Sequence, residues 1–105
     1  MQLKIHPGAE EELFQGAAWY DDHRLGLGDE FLIHIYRWFD VVLESPSTWP
    51  CWPGTPQDLT PLIRRVVVNR FPYLIGYQAF SDHILILAVA HSRRIPMYWL
   101  VRAVQ

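Results

Sequence analysis

The chain has 105 residues, half of them hydrophobic, and a formal net charge of −2. Those numbers suit one folded domain spanning residues 1–105 with a buried core. They exclude a helical membrane span, because no stretch reaches the roughly 18 uninterrupted apolar residues that one needs. The start, "MQLKIHPGAEEEL", lacks the apolar block of a secretory signal, and Cys51 has no second cysteine to pair with. The expectation is a cytoplasmic protein without disulfides, in which Cys51 is a small semi-buried residue.

The small net charge hides an asymmetry. Residues 1–61 carry ten acids and three bases (Lys4, Arg24, Arg37), whereas residues 62–105 carry six arginines and one acid, Asp82. Anion contact is therefore expected of the second half. The weak total charge argues against strong, indiscriminate nucleic-acid binding, though not against a local phosphate site.

In chain order, "LKIH" (3–6) alternates and reads as a brief strand. Pro7 suits the first turn of a helix, and Glu10, Glu11 and Glu12 then lie near the positive end of its dipole. Ala9, Leu13, Ala17 and Tyr20 recur at helical spacing and predict a helix over about 8–24. "LGLG" (25–28) interrupts it. Asp29 and Glu30 open a second helix with the stripe Phe31, Ile35, Trp38 and Val42, supported by Leu32, Phe39 and Leu43. The short break predicts a helical hairpin.

Residues 45–61 hold five prolines and no period, so they form a loop, with Trp49 and Trp52 pinning it to the body. "LIRRVVVN" (62–69), "YLIGYQAF" (73–80) and "HILILAVA" (83–90) are rich in β-branched and aromatic residues and predict three antiparallel strands. Ser81-Asp82 makes the last two a hairpin, and Pro72 belongs at a turn or strand start. The fold class is α+β, in the order β-α-α-β-β-β, with the helical hairpin packed on the C-terminal antiparallel sheet. The last strand is apolar on both parities, as if covered on two faces. One cover is the helical hairpin; the other face has no obvious cover in so short a chain, which suggests a partner protein.

The segment "AHSRRIPMYW" (90–99) then concentrates cationic and aromatic side chains. Arg64 and Arg65 are strand neighbours and point to opposite faces. Arg70, Arg93 and Arg94 lie near strand ends, where side chains can converge, and guanidinium offers a planar fork of donors suited to phosphate. Each arginine alone also reads as surface solvation or a partner for the acidic helices. His91 shares simple strand parity with Leu85, Leu87 and Val89. An imidazole there serves a hydrogen-bonded core or, if neutral, a general base. Tyr98 can donate a hydrogen bond, stack on a base or pack, and Trp99 reads as packing. A base, phosphate clamps and a tyrosine describe a metal-free ribonuclease, and equally a protein-binding surface. There is no glycine-rich phosphate loop, nucleophile elbow or paired-cysteine metal motif. "DDH" (21–23) reads as a solvated helix end and "EEE" as a helix start. No metal and no cofactor is expected.

Taken together, "AEEEL", "AAWYDDHRLGLGDEF", "RRVVVNRFPYLIGY" and "AVAHSRRIPMYW" resemble the RelE/ParE superfamily of bacterial toxins, in the right order over nearly the whole chain. The most specific pieces are the "WY…GLGDEF" hinge, "RFPY" and "H-x-R-R-x-P-x-Y-W". The resemblance implies the toxin of a type II toxin–antitoxin module, neutralised by a cognate antitoxin in a hetero-oligomer, with Trp19, Tyr20 and Trp99 as antitoxin contacts. It also offers a cover for the unexplained apolar face.

Two activities occur in the superfamily. RelE-like members cut mRNA on the ribosome, whereas ParE-like members poison DNA gyrase by protein contact. The tail here is more similar to ParE-like sequences. The nuclease alternative would use Arg65 or Arg70 on phosphate, Arg93 or Arg94 on the transition state, Tyr98 near the leaving group or base, and His91 as base. In a gyrase poison the same residues are target contacts. The acidic helical half and the single lysine, Lys4, depart from the broad cationic footprint of an RNA-reading protein. A further alternative is a binding module without toxicity.

Overall fold

The computed structural model describes residues 1–104. Strand β1 (Gln2–Ile5) leads into helix α1 (Pro7–His23) and helix α2 (Leu27–Glu44). Strands β2 (Ile63–Val67), β3 (Tyr73–Ala79) and β4 (His83–His91) follow, and a short 3-10 turn spans Leu100–Arg102. The sheet order is β1-β4-β3-β2, with β1 parallel to β4 and the other pairs antiparallel. The fold is α+β with the helical hairpin on the antiparallel sheet, as the patterning implies, and β1 adds a fourth strand.

Local chemistry sets the element ends. Pro7 stands in the first turn of α1, and His6 caps that helix, its Nδ1 accepting from the Gly8 N–H at 3.0 Å. The hairpin turn is tighter than the sequence suggests, and α2 starts at Leu27 rather than at Asp29. Gly26 takes φ 91°, and Asp21 Oδ1 accepts from the N–H groups of Gly26 at 3.2 Å and Gly28 at 2.7 Å. Asp21 thus caps α2 from the last turn of α1 and is not simply a solvated helix end. Gly28 permits the approach of the two helices, since a Cβ there would lie 2.3 Å from the Ala17 carbonyl oxygen. Leu13, Phe31, Ile35, Phe39 and Val42 then bury against Val66, Ile75, Ile84 and Ile86 of the sheet.

Two expectations about the sheet are corrected. The register between β3 and β4 shifts at Gly76/Tyr77, where Ala88 pairs with Gly76 and Ile86 with Tyr77. Leu87 is the extra residue of this bulge, so strict alternation ends there. Ile84, Ile86 and Val89 face the helices while Leu85, Leu87, Ala88 and Ala90 face the other side. His91 therefore falls on the Val89 face, packed against Tyr73, and does not share a face with Leu85 and Leu87.

The second face also needs no outside cover among the described residues. The proline-rich loop and the tail close it: Trp52 and Trp99 pack at 4.6 Å between ring centroids over Ile63, Leu87, Ala88 and Ala90. Trp49 pins the same loop on the opposite side, against Trp38. Buried Gln78 holds the tail, donating from Nε2 to the Val104 carbonyl at 2.7 Å and accepting from the Val104 N–H at 2.8 Å.

Candidate functional site

The end of β4 projects the cationic segment between α1 and the tail. A groove of about 640 Å³ opens there, lined by Trp19 and Tyr20 from α1, Tyr73 from β3, and His91, Arg93, Arg94 and Tyr98. A second cavity of about 180 Å³ lies behind it, where Arg65, Trp52 and Trp99 meet His91, Arg94 and Tyr98. His91, Arg94 and Tyr98 are thus the partition between two adjoining spaces.

Most of the residues singled out from the sequence converge here. Arg93 and Arg94 have no acidic partner among the described residues, and the Arg94 guanidinium lies over the Tyr98 ring at 4.2 Å from its centroid. His91 Nδ1 accepts from the Arg93 N–H at 3.1 Å, which fixes the turn and leaves Nε2 for other contacts. Arg65 sits over Trp52 at 5.8 Å, and its Nε is buried without a hydrogen-bond partner in the structure. Arg64 points to the other face, as strand geometry requires, and donates to the Trp49 carbonyl at 2.6 Å.

Arg70 stands elsewhere than its strand-end position suggests, and Trp99 and Tyr20, which bury as their packing and helical-stripe readings imply, differ only from the antitoxin contacts that the resemblance implies. Arg70 lines neither space: its backbone is left-handed, at φ 70°, and its side chain pairs with Glu30 at the start of α2, beside Arg24. Trp99 is only 1% exposed and belongs to the core over β4, so it offers no surface to an antitoxin. The Tyr20 ring is 9% exposed and stacks among Phe31, Phe71 and Tyr73, so only its rim reaches the groove. Trp19 is the open member of the set, 57% exposed and stacked on His23.

Sequence reasoning missed Glu12. Its carboxylate is buried and accepts from the Val89 N–H at 3.0 Å, from the Arg102 guanidinium at 3.1 and 3.3 Å, and from the Tyr98 hydroxyl. Arg102 also donates to the Leu87 carbonyl at 3.0 Å. Carboxylate and guanidinium together serve backbone groups at the bulge, on the stretch of β4 that lies beyond the end of β1. The signal was present: Glu12 lies three residues after Ala9 and four before Gly16, on the buried stripe of α1, yet the run "EEE" disguises it as a helix start. Burial and the bond to Glu12 raise the Tyr98 hydroxyl above the ordinary tyrosine range, and burial pushes Tyr73 up to about 12. Both phenols are therefore protonated at neutral pH. Among the described residues no group of three or more His, Cys, Asp or Glu side chains could hold a metal ion, and no helix is long and apolar enough to cross a membrane.

A helical hairpin laid on a four-stranded sheet, with an arginine-rich edge after the last strand, defines the class as a small α+β protein. The chain is 27% identical over 99 residues to Toxin ParE2 of Mycobacterium tuberculosis, in both strain CDC 1551 / Oshkosh and strain H37Rv, covering 90% of this chain and 85% of that protein. A chain of the chromosomal ParDE TA system from P. aeruginosa has the same fold, with a TM-score of 0.73 at 15% identity, over 87% of this chain and 95% of that one. No family model matches the chain. The resemblance to the RelE/ParE superfamily, ParE-like branch, thus holds in sequence over most of the chain and in fold.

Proposed function

We propose that the chain, as a single toxin domain over residues 1–105, is the toxin of a type II toxin–antitoxin module in the cytoplasm, and that it inhibits growth by poisoning DNA gyrase. The toxin class is supported by the similarity to Toxin ParE2 over 90% of the chain and by the fold shared with the P. aeruginosa ParDE chain. The cognate antitoxin lies in the groove between α1 and the end of β4, with Trp19 and the rim of Tyr20 as apolar contacts. An acidic side chain of the antitoxin would meet Arg93 and Arg94 there.

The observation that carries gyrase contact over RNA cleavage is the state of Tyr98. Its proton is donated to Glu12, a buried acceptor, so it is not available to a leaving oxygen. Arg70, one candidate phosphate clamp, is committed to Glu30. Arg93 and Arg94 need no proton transfer to act as contact residues, since a fixed positive charge beside an aromatic ring is a common anchor in protein interfaces. The ribosome-dependent nuclease keeps one observation in its favour, the meeting of Arg65, His91, Arg94 and Tyr98 around one small cavity.

The test is direct. The purified chain is titrated into DNA supercoiling by gyrase, and in parallel into a translating extract whose mRNA ends are mapped. Inhibition of supercoiling with intact mRNA is expected. Cut mRNA with unimpaired supercoiling would transfer the assignment to the nuclease.

A further inference from the structure

We infer that Glu12 is a positioning residue for the target-contact edge, holding the Tyr98 ring on which Arg94 rests. This rests on the reading of Arg94 as a target contact, but the geometry is independent of it. Tyr98 emerges from a tail without regular secondary structure until Leu100, after Met97 at φ 63°. The ring packs against the cluster around Trp52 and Trp99, which seats its base but leaves its hydroxyl end to be placed by a polar partner. Its hydroxyl is fixed by Glu12, which is itself held by the Val89 N–H and the Arg102 guanidinium, one on the rigid central strand and one on the tail. Gly8 makes room for this arrangement, since a Cβ there would stand 2.5 Å from the Arg102 Cζ.

The ring so placed has Arg94 over it at 4.2 Å and Arg102 at 5.5 Å. Arg102 is satisfied by Glu12 and Leu87. The Arg94 guanidinium has no hydrogen-bond or acidic partner among the described residues, the backbone N–H alone donating to the His91 carbonyl, so the ring is the one ordered support of its charge. A long side chain on a free tether spends its rotamer entropy at the moment of binding, whereas one resting on a fixed ring has already lost part of it. Glu12 therefore acts on the target through Tyr98 and Arg94, from a buried position.

The experiment compares the wild-type chain, Glu12→Gln, Tyr98→Phe and the double variant. One readout is the ring-current shift of the Arg94 Nε proton by NMR; the other is the concentration that halves gyrase supercoiling. Tyr98→Phe keeps the ring and leaves the Glu12–Arg102 pair intact, so it reports even if Glu12→Gln does not fold. Both single variants are expected to lose most of the upfield shift and to need roughly tenfold more protein. The double variant should need no more than the worse single variant, because both break one tether. A wild-type ring-current shift in Tyr98→Phe, or losses that multiply in the double variant, overturns the inference. If the wild-type chain leaves gyrase untouched, the gyrase reading fails, while the Arg94 shift still decides whether Glu12 and the hydroxyl position the edge.

Discussion

Replacing Trp99 with alanine separates the core reading of this residue from the contact reading. The indole is 1% exposed and lies 4.6 Å, centroid to centroid, from Trp52, over the bulged half of β4. Truncating a buried tryptophan costs about 3–5 kcal/mol, since the lost transfer energy is joined by an unfilled cavity. That is a large share of the roughly 5–15 kcal/mol that holds a domain of this size together. With a urea dependence near 1.5 kcal/mol per molar, a loss of about 4 kcal/mol lowers the unfolding midpoint by roughly 2–3 M. Trp19→Ala is the control. That ring is 57% exposed and stacks on His23, so its loss should move stability by less than about 1 kcal/mol. Urea unfolding followed by circular dichroism measures both. A Trp99→Ala protein within about 1 kcal/mol of wild type would refute the placement of the tail over the sheet, and with it the internal cover of the second face.

Gly28→Ala should cost about 1–3 kcal/mol by forcing α1 and α2 apart, because the new methyl would press on the Ala17 carbonyl oxygen; thermal unfolding checks it. Stability should also fall with acid through His6. Burial, and then the Arg102 charge, lower its pKa from 6.5 against the opposing pull of Glu12, so the folded state favours the neutral ring that caps α1. Its contribution is complete above about pH 6.5 and is lost as the pH falls through that value towards the lower folded one. Asp82 and Glu30, whose pKa values are depressed from 3.8 and 4.5 chiefly by His83 and Arg70, contribute losses only at more acid pH. His6→Asn, which can cap without titrating in this range, should flatten the curve between pH 7 and 5; an unchanged curve contradicts the cap. His91→Gln should leave gyrase inhibition within about threefold, since a contact edge needs no base there, whereas a folded variant with no inhibition would refute that and make His91 an indispensable gyrase contact.

What the sequence made legible followed periodicity and turn chemistry. Ala9, Leu13, Ala17 and Tyr20 sit at helical spacing and all four bury, and the two glycines of "LGLG" mark the hairpin turn. The convergence of His91, Arg93, Arg94 and Tyr98 could be seen because they are close in the chain and end a buried strand. The bulge at Leu87 was invisible, because an apolar residue on either face fits the same pattern, and one extra residue reverses every parity after it. The tail's packing was hidden for another reason. Trp99 and Gln78 act through contacts with distant loops and strands, and "MYWLVRA" has no period that announces them. Glu12 was concealed by its two acidic neighbours, although only it faces the sheet.

The central claim is that this edge disables DNA replication by contact and does not cleave RNA. The most direct measurement is pulse labelling of DNA and protein synthesis in a bacterium lacking the antitoxin, over the first minutes after induced expression. The account predicts that DNA synthesis falls first while translation continues. If protein synthesis falls first, the claim is contradicted, and Arg65, His91, Arg94 and Tyr98 must be treated as an active site.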